Sequence, residues 1–394
     1  MPWSASARSN HPRDARAIPP YILYVGRERV RAPERRSTVT PIFQGPSMNS
    51  YRPAALAATA ALALSGWAAT LQAQKQPLLF VENSHDGTVS VIDATTLKVV
   101  GSIPVGQSPD EIVLAPAGDV LYLSRIVRRD DGRPTGNGEL IAIDPVTRTV
   151  TWRVPLRGAP NHIAVSPDGR RVYITIVSGS WTTVVDPAKR AVVDSVEVGT
   201  GPHDIEVSRD GKRVYVGLIR GTDVTVFDAD TKKVIRKIPF SENVRPIALS
   251  HDETQLFVQL SRTHAVMVVD PKTGTILKRV AMPIPAGKAL PDSMPIDVNH
   301  GLRVTEDGRY LIANGSLFDL VAIWSLASMK LVGTVPVGHE PNWIVMSPDG
   351  KRAFVSNRAS DDVSVIDLAG RREVARIKVG KYPQRMATVA VAAK

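Results

Sequence analysis

Three stretches decide the architecture: G-A-P-N-H-I-A-V-S-P-D-G-R-R-V-Y-I-T (158–175), G-T-G-P-H-D-I-E-V-S-R-D-G-K-R-V-Y-V-G-L (199–218) and G-H-E-P-N-W-I-V-M-S-P-D-G-K-R-A-F-V-S-N (338–357). Each runs glycine, proline, a pair that contains Asn or His, a short apolar strand, an S-x-D-G turn and a second strand. Each strand is β-branched and alternating, the pattern of a half-buried strand. In the first copy Pro167 pre-sets φ and Gly169 ends a type I turn.

Working outward, the most regular marker is an aspartate that closes an alternating apolar strand. It falls at Asp93, Asp144, Asp186, Asp228, Asp270 and Asp367, with Ser325 in the equivalent place of one unit. Successive gaps are 51, 42, 42, 42, 55 and 42 residues. A period of about 42 with four short strands per unit predicts the blades of a β-propeller. The first ordered segment, P-L-L-F-V-E-N (77–83), lacks an innermost strand of its own. The last, Y-P-Q-R-M-A-T-V-A-V (382–391), is an innermost strand with nothing after it. Together they make one blade and close the ring, leaving no unpaired edge between first and last blades. The expectation is an all-β, seven-bladed β-propeller of four-stranded antiparallel blades, closed by N-terminal strands plus the C-terminal strand.

The repeats resemble the YVTN family of bacterial β-propellers over 78–391, through V-Y-I-T (172–175), V-Y-V-G (214–217), F-V-E-N (80–83) and F-V-S-N (354–357). That resemblance implies kinship with surface-layer propellers, the heavy subunits of periplasmic amine dehydrogenases, and seven-bladed lactonases and lyases. It implies a fold more than an activity.

Residues 48–73 read as a secretory signal peptide, with Arg52, an Ala-rich apolar stretch and small Ala73 at the cleavage point. Residues 1–47 read as a disordered or mis-called extension, and 74–394 as the propeller. The expected location is periplasmic or secreted, with no stable membrane span after cleavage. The net charge is +11; residues 1–73 carry nine Lys/Arg and three Asp/Glu, so removing their +6 leaves +5. That weakens any reading as a nucleic-acid binder, and no aromatic platform supports one. The chain has no cysteine, which excludes disulfide frameworks and thiolate metal sites.

In such blades the connection from the fourth strand to the next blade's first lies on the same face as the turn between strands two and three. Six of the seven histidines beyond residue 73 map to that face; only His251 does not. Two insertions, at 128–137 and 283–295, decorate it too, and long loops on one rim of a scaffold commonly carry binding. Innermost strands line the central channel. The first position after each proline reads Asp110, Asn161, His203, Arg245, His300 (or Asp297), Asn342 and Gln384. The next reads Glu111, His162, Asp204, Pro246, Gly301, Trp343 and Arg385.

Three uses of that ring stay open. It is a wet structural channel mouth. Or His162, His203 and His300, with Glu111 and Asp204, hold a divalent ion such as Cu, Zn or Ni. Or Asp110, Glu111, Asn161, Asp204, Arg245, Asn342, Trp343 and Arg385 bind an organic ligand, with Arg245 and Arg385 clamping a carboxylate and Trp343 stacking on it. The expected function is an exported, monomeric propeller that binds a small molecule, metal ion or periplasmic partner protein at this histidine-rich mouth. The alternatives are a metal-assisted, lactonase-like hydrolase or lyase, and the propeller subunit of a periplasmic redox enzyme. The lactonase-type resemblance implies a ligand set rich in Glu and Asn, whereas histidines and arginines fill several of those places here.

Overall fold

A computed structural model describes residues 75–392 apart from 130 and 296. The expected extension and signal peptide lie outside the described residues. Seven separate four-stranded antiparallel sheets are present, and these are the seven expected blades. The innermost strands are Pro109–Leu114, Pro160–Val165, Pro202–Val207, Val244–Leu249, Leu302–Val304, Pro341–Met346 and Pro383–Ala392. Each touches the next in cyclic order, and the last touches the first, so the ring is closed.

Closure comes from the two ends of the described chain. Pro383–Ala392 pairs with Lys75–Asn83, with Leu78 opposite Val389 and Phe80 opposite Ala387. Lys75–Asn83 then pairs with Thr88–Asp93, and that strand with Lys98–Pro104. Sequence-distant strands therefore share one ladder, as the missing and surplus strands predicted.

Burial follows position in the blade. Second strands such as Val172–Ile176 and Leu256–Leu260 are buried throughout, because blades pack on both of their faces. They read as apolar runs for that reason. Fourth strands are mostly exposed or half-buried, with one inward residue such as Ile103, Val196, Ile238 or Ile377, and two, Val154 and Leu156, in Thr149–Leu156. Phe80, Tyr173, Tyr215, Phe257 and Phe354 recur on the second strands, each almost fully buried. Each such side chain contributes about 1.5–3 kcal/mol over its exposed state.

The repeated polar markers are turn chemistry. Asp186 Oδ1 accepts from the amides of Ala188 and Lys189 at 3.0 and 3.1 Å, and Asp93, Asp228 and Asp270 do the same two and three residues on. The turn then passes through a left-handed residue, as at Leu97, Arg190 and Arg371. In the S-P-D-G turn, Ser166 Oγ donates to Asp168 and accepts from the Arg171 amide. Gly169 sits at φ +70°, and a Cβ at that position would meet nothing within 4 Å. Glycine is required there for its backbone angle alone.

Two expectations shift in detail. The 128–137 insertion is less loop than extended hairpin, since Leu121–Arg128 and Pro134–Asp144 pair out to Arg128 opposite Pro134. In the fifth repeat the innermost strand shrinks to Leu302–Val304. It follows the insertion that carries Pro283, Pro285, Pro291 and Pro295.

Candidate functional site

Alternate residues of the innermost strands face the axis, so side chains two apart in sequence lie at successive depths along the channel. One end of the channel carries the connections between blades. The other carries the S-x-D-G turns.

At mid-depth the hub is filled by a buried charged network. Arg385 lies at its centre. Its Nε donates to Glu111 Oε2 at 3.2 Å, its Nη1 to Asn342 Oδ1 at 2.5 Å, and its Nη2 lies 2.7 Å from His162 Nε2. Arginine only donates, so that imidazole nitrogen accepts, and the network assigns the ring proton to Nδ1. Nδ1 faces Asp204 Oδ1 at 2.8 Å and Glu111 Oε2 at 3.0 Å. Burial and Arg385 favour the neutral ring, but Asp204 and Glu111 outweigh them and raise its proton affinity above the ordinary value. A second proton would have to land on the nitrogen that faces Arg385. Burial would push the Asp204 carboxyl up; His162 and the Ile247 amide reverse this and hold it below the ordinary range. Two guanidiniums lie over the Trp343 ring, Arg385 at 4.2 Å and Arg303 at 4.8 Å from its centroid.

Toward the blade-connection end stand His203, His300, Arg245, Asp297 and Arg358. The His162 and His203 rings are 4.4 Å apart, and His203 and His300 5.8 Å apart, centroid to centroid. Burial, then the neighbouring His162, Arg385 and Arg245, lower the His203 pKa far below normal; burial and Arg385 do the same to His300. Both rings are neutral at pH 7. Asp297, at φ +74°, holds Arg358 Nη2 at 3.1 Å and Arg245 Nη1 at 3.7 Å. Two guanidiniums thus share one carboxylate. Arg245 Nε donates to Ser261 Oγ at 3.1 Å. His203 Nδ1 and Asp297 Oδ1 are buried without hydrogen-bond partners among the described residues. Asn161 Nδ2 donates to Asp110 Oδ2, and burial raises the Asp110 carboxyl.

Toward the S-x-D-G end lie Glu206 and Arg303, Nη1 to Oε1 at 3.3 Å. Burial, against the opposing charge of Arg303, pushes the Glu206 carboxyl up to about 7. With Glu111, His162, Asp204 and Trp343 these two line a cavity of about 220 Å³.

Of the expected ring residues, Glu111, His162, Asp204, Asn342, Trp343 and Arg385 contact one another, His203 and His300 pack beside them, Arg245 reaches Asp297, and Asp110 pairs with Asn161. The histidines do not form an open mouth: His162, His203 and His300 are each at most 5% exposed. The expected imidazole metal site is not formed. Among the described residues no group of His, Asp and Glu is arranged to hold a metal ion. Arg385 is the physical reason, since a fixed cation takes one nitrogen of His162 while carboxylates take the other. Each nitrogen of the Arg385 guanidinium already has a partner in the hub, and it is Arg358 that shares Asp297 with Arg245. Arg358, Glu206 and Arg303 were not among the residues expected from the sequence. The last two sit two residues beyond Asp204 and Gly301, on the same side of their strands, so the strand period itself was the signal.

Fold and hub define a seven-bladed β-propeller with a plugged, charged central channel. Residues 252–394 match the family model of the YNCE-like beta-propeller, which with the seven blades bears out the YVTN-type resemblance. Residues 123–246 match the Cytochrome D1 heme domain. No curated protein matches the sequence. Among solved structures the chain is similar to hydrazine synthase of Kuenenia stuttgartiensis, at 23% identity and TM-score 0.61 over 74% of this chain and 92% of that one. It is similar to the periplasmic gluconolactonase PpgL of Pseudomonas aeruginosa, at 20% identity and TM-score 0.65 over 80% and 99%. It is also similar to the dihydro-heme d1 dehydrogenase NirN in complex with DHE, at 13% identity and TM-score 0.56 over 76% of this chain and 63% of that one. At these identities the likeness is one of fold.

The haem-domain match raises the question of whether the hub fits a haem held through its iron. It does not. Axial ligation needs an imidazole with a free nitrogen facing a cavity. His162 has both nitrogens paired, and His300 has its Nδ1 3.1 Å from the Asn342 carbonyl and its Nε2 facing the Asp297 carboxylate at 3.9 Å. His203 has an unpaired Nδ1, but its ring is buried with the His162 and His300 rings packed against it at 4.4 and 5.8 Å.

Proposed function

We propose that this chain is an exported, monomeric small-molecule-binding propeller whose blade-connection end takes a carboxylate-bearing ligand. The observation that carries the reading is the sharing of Asp297 by Arg245 and Arg358. A guanidinium fork matches a carboxylate bidentately. The Arg245 fork is held at its Nε and has only a long contact at Nη1, so it has donors to give. The unpaired His203 Nδ1 can meet a polar group beside that carboxylate. Exposed Ile284 and Leu290 on the 283–295 insertion offer apolar contact at the same end.

The match of 123–246, which spans His162, His203 and Arg245, to a haem domain favours a haem-type macrocycle as the ligand. So does the NirN neighbour's complex with DHE. Such a molecule would be held through its carboxylates and not its iron. The similar PpgL is a periplasmic protein, which accords with export, and among the described residues no helix is long and apolar enough to cross a membrane.

The test is a spectroscopic titration of the protein with haem and with the same macrocycle lacking iron. Both bind with similar affinity, and Arg358→Gln weakens both by roughly tenfold, the loss of one charged hydrogen-bonded pair. Binding of the iron form alone, or binding indifferent to Arg358→Gln, would overturn the reading.

A further inference from the structure

The opposite end of the channel is a built cavity that the carboxylate reading does not use. Its walls are polar and fixed. His162, Glu111 and Asp204 are each at most 4% exposed, and Glu206 and Arg303 stand at the rim, a quarter and a third exposed. Cavities of about 580 and 320 Å³ share Arg303 with it and lead out past Ser347 and Pro348, and past His251 and Glu253. The 220 Å³ space holds several waters' volume, at about 30 Å³ each, so a compact ligand fits.

The unmet hydrogen bonding sets its chemistry. Glu111 Oε2 accepts from Arg385 and His162, but Oε1 of this buried residue has no partner among the described residues. Glu206 gives Oε1 to Arg303, which leaves Oε2 to accept. Asp204 is filled by His162 and two amides. The cavity therefore shows two spare carboxylate oxygens and one rim guanidinium. A buried acceptor without a donor is unfavourable, and a ligand carrying several N–H donors relieves it better than one carrying a single O–H.

We infer that this end of the channel is a second ligand site, for a compact primary ammonium compound bearing a carboxylate. Its ammonium donates to Glu111 Oε1 and Glu206, and its carboxylate accepts from Arg303. The site is independent of the carboxylate-ligand reading, which rests on the other end.

The test is calorimetric titration at pH 7 with β-alanine, with 3-hydroxypropanoate and with propylamine, on the wild type, Glu206→Gln and Arg303→Gln. β-Alanine binds, and 3-hydroxypropanoate binds at least roughly tenfold more weakly. Glu206→Gln lowers β-alanine affinity by a similar factor. It also abolishes the proton released on binding, which the wild type shows as a dependence of the heat on buffer ionisation. Arg303→Gln removes the preference for β-alanine over propylamine. Equal binding of the hydroxy analogue, no binding of β-alanine, or wild-type affinity in Glu206→Gln would each overturn the assignment. Glu206 is part-exposed at the rim, so its isosteric amide keeps the fold available for the measurement.

Discussion

Arg385 Nη2 and His162 Nε2 lie 2.7 Å apart across 223 residues of sequence. The guanidinium belongs to the strand that closes the ring, so the closing strand and the hub network are one structure. Replacing Arg385 by Gln leaves Glu111 and His162 buried around an empty place. Breaking a buried ionic network by removing one partner costs about 3–5 kcal/mol. Chemical denaturation of Arg385→Gln should show a loss of that size, whereas an exposed pair such as Arg133–Asp131 should show almost none when broken.

The neutral histidines of the hub make stability depend on pH. His203 has a folded pKa far below its unfolded value near 6.5. Below that pH the unfolded chain takes up a proton that the native ring refuses, so stability falls as pH falls. The contribution is about 1.4 kcal/mol per pH unit below 6.5. Unfolding free energies of the wild type and His203→Asn, measured between pH 7.5 and roughly 5, should converge or cross as pH falls, with the wild type losing more.

Glu206 acts in the opposite sense. Its folded pKa is raised to about 7, so the native state keeps a proton that the unfolded chain releases above about 4.5. Its contribution is present at low pH and fades as pH rises from about 4.5 to 7, by up to about 3 kcal/mol. Glu206→Gln cannot ionise, so its stability relative to wild type should rise across that window and level off above it.

The turn chemistry predicts modest, separable effects. Asp186→Ala removes two amide caps and should lower stability by about 1 kcal/mol. Gly169→Ala meets no atom within 4 Å but sits at φ +70°, so a loss of about 1 kcal/mol there would be backbone strain alone. Thermal unfolding of both variants checks this.

These residues also show what the sequence makes legible. The 42-residue spacing of aspartates is visible because each one caps the same turn, and the turn recurs wherever the blade does. The orphan strands at 77–83 and 382–391 announced the closure, since each lacks the partner the other supplies. Position along strand one was legible from the prolines, which placed His162, His203 and Arg385 on one axis. Which side chain fills the hub was not. That depends on the relative reach of side chains from seven strands, and the long Arg385 fills the space that three imidazoles would have shared around a metal. Arg358 escaped notice because it lies on a loop, where no period marks the inward position. Glu206 and Arg303 were within reach of the period-two rule, two residues deeper than the ring considered.

The central claim is that ligand carboxylates engage Arg245 and Arg358 beside Asp297. It is tested most directly by comparing a haem-type macrocycle carrying free carboxylates with its methyl esters, by the change in absorbance on titration. The account predicts that the free acid binds and that esterification weakens binding at least roughly tenfold, with Arg245→Gln/Arg358→Gln abolishing the difference. Esters that bind as tightly as the acid to the unaltered protein would contradict it.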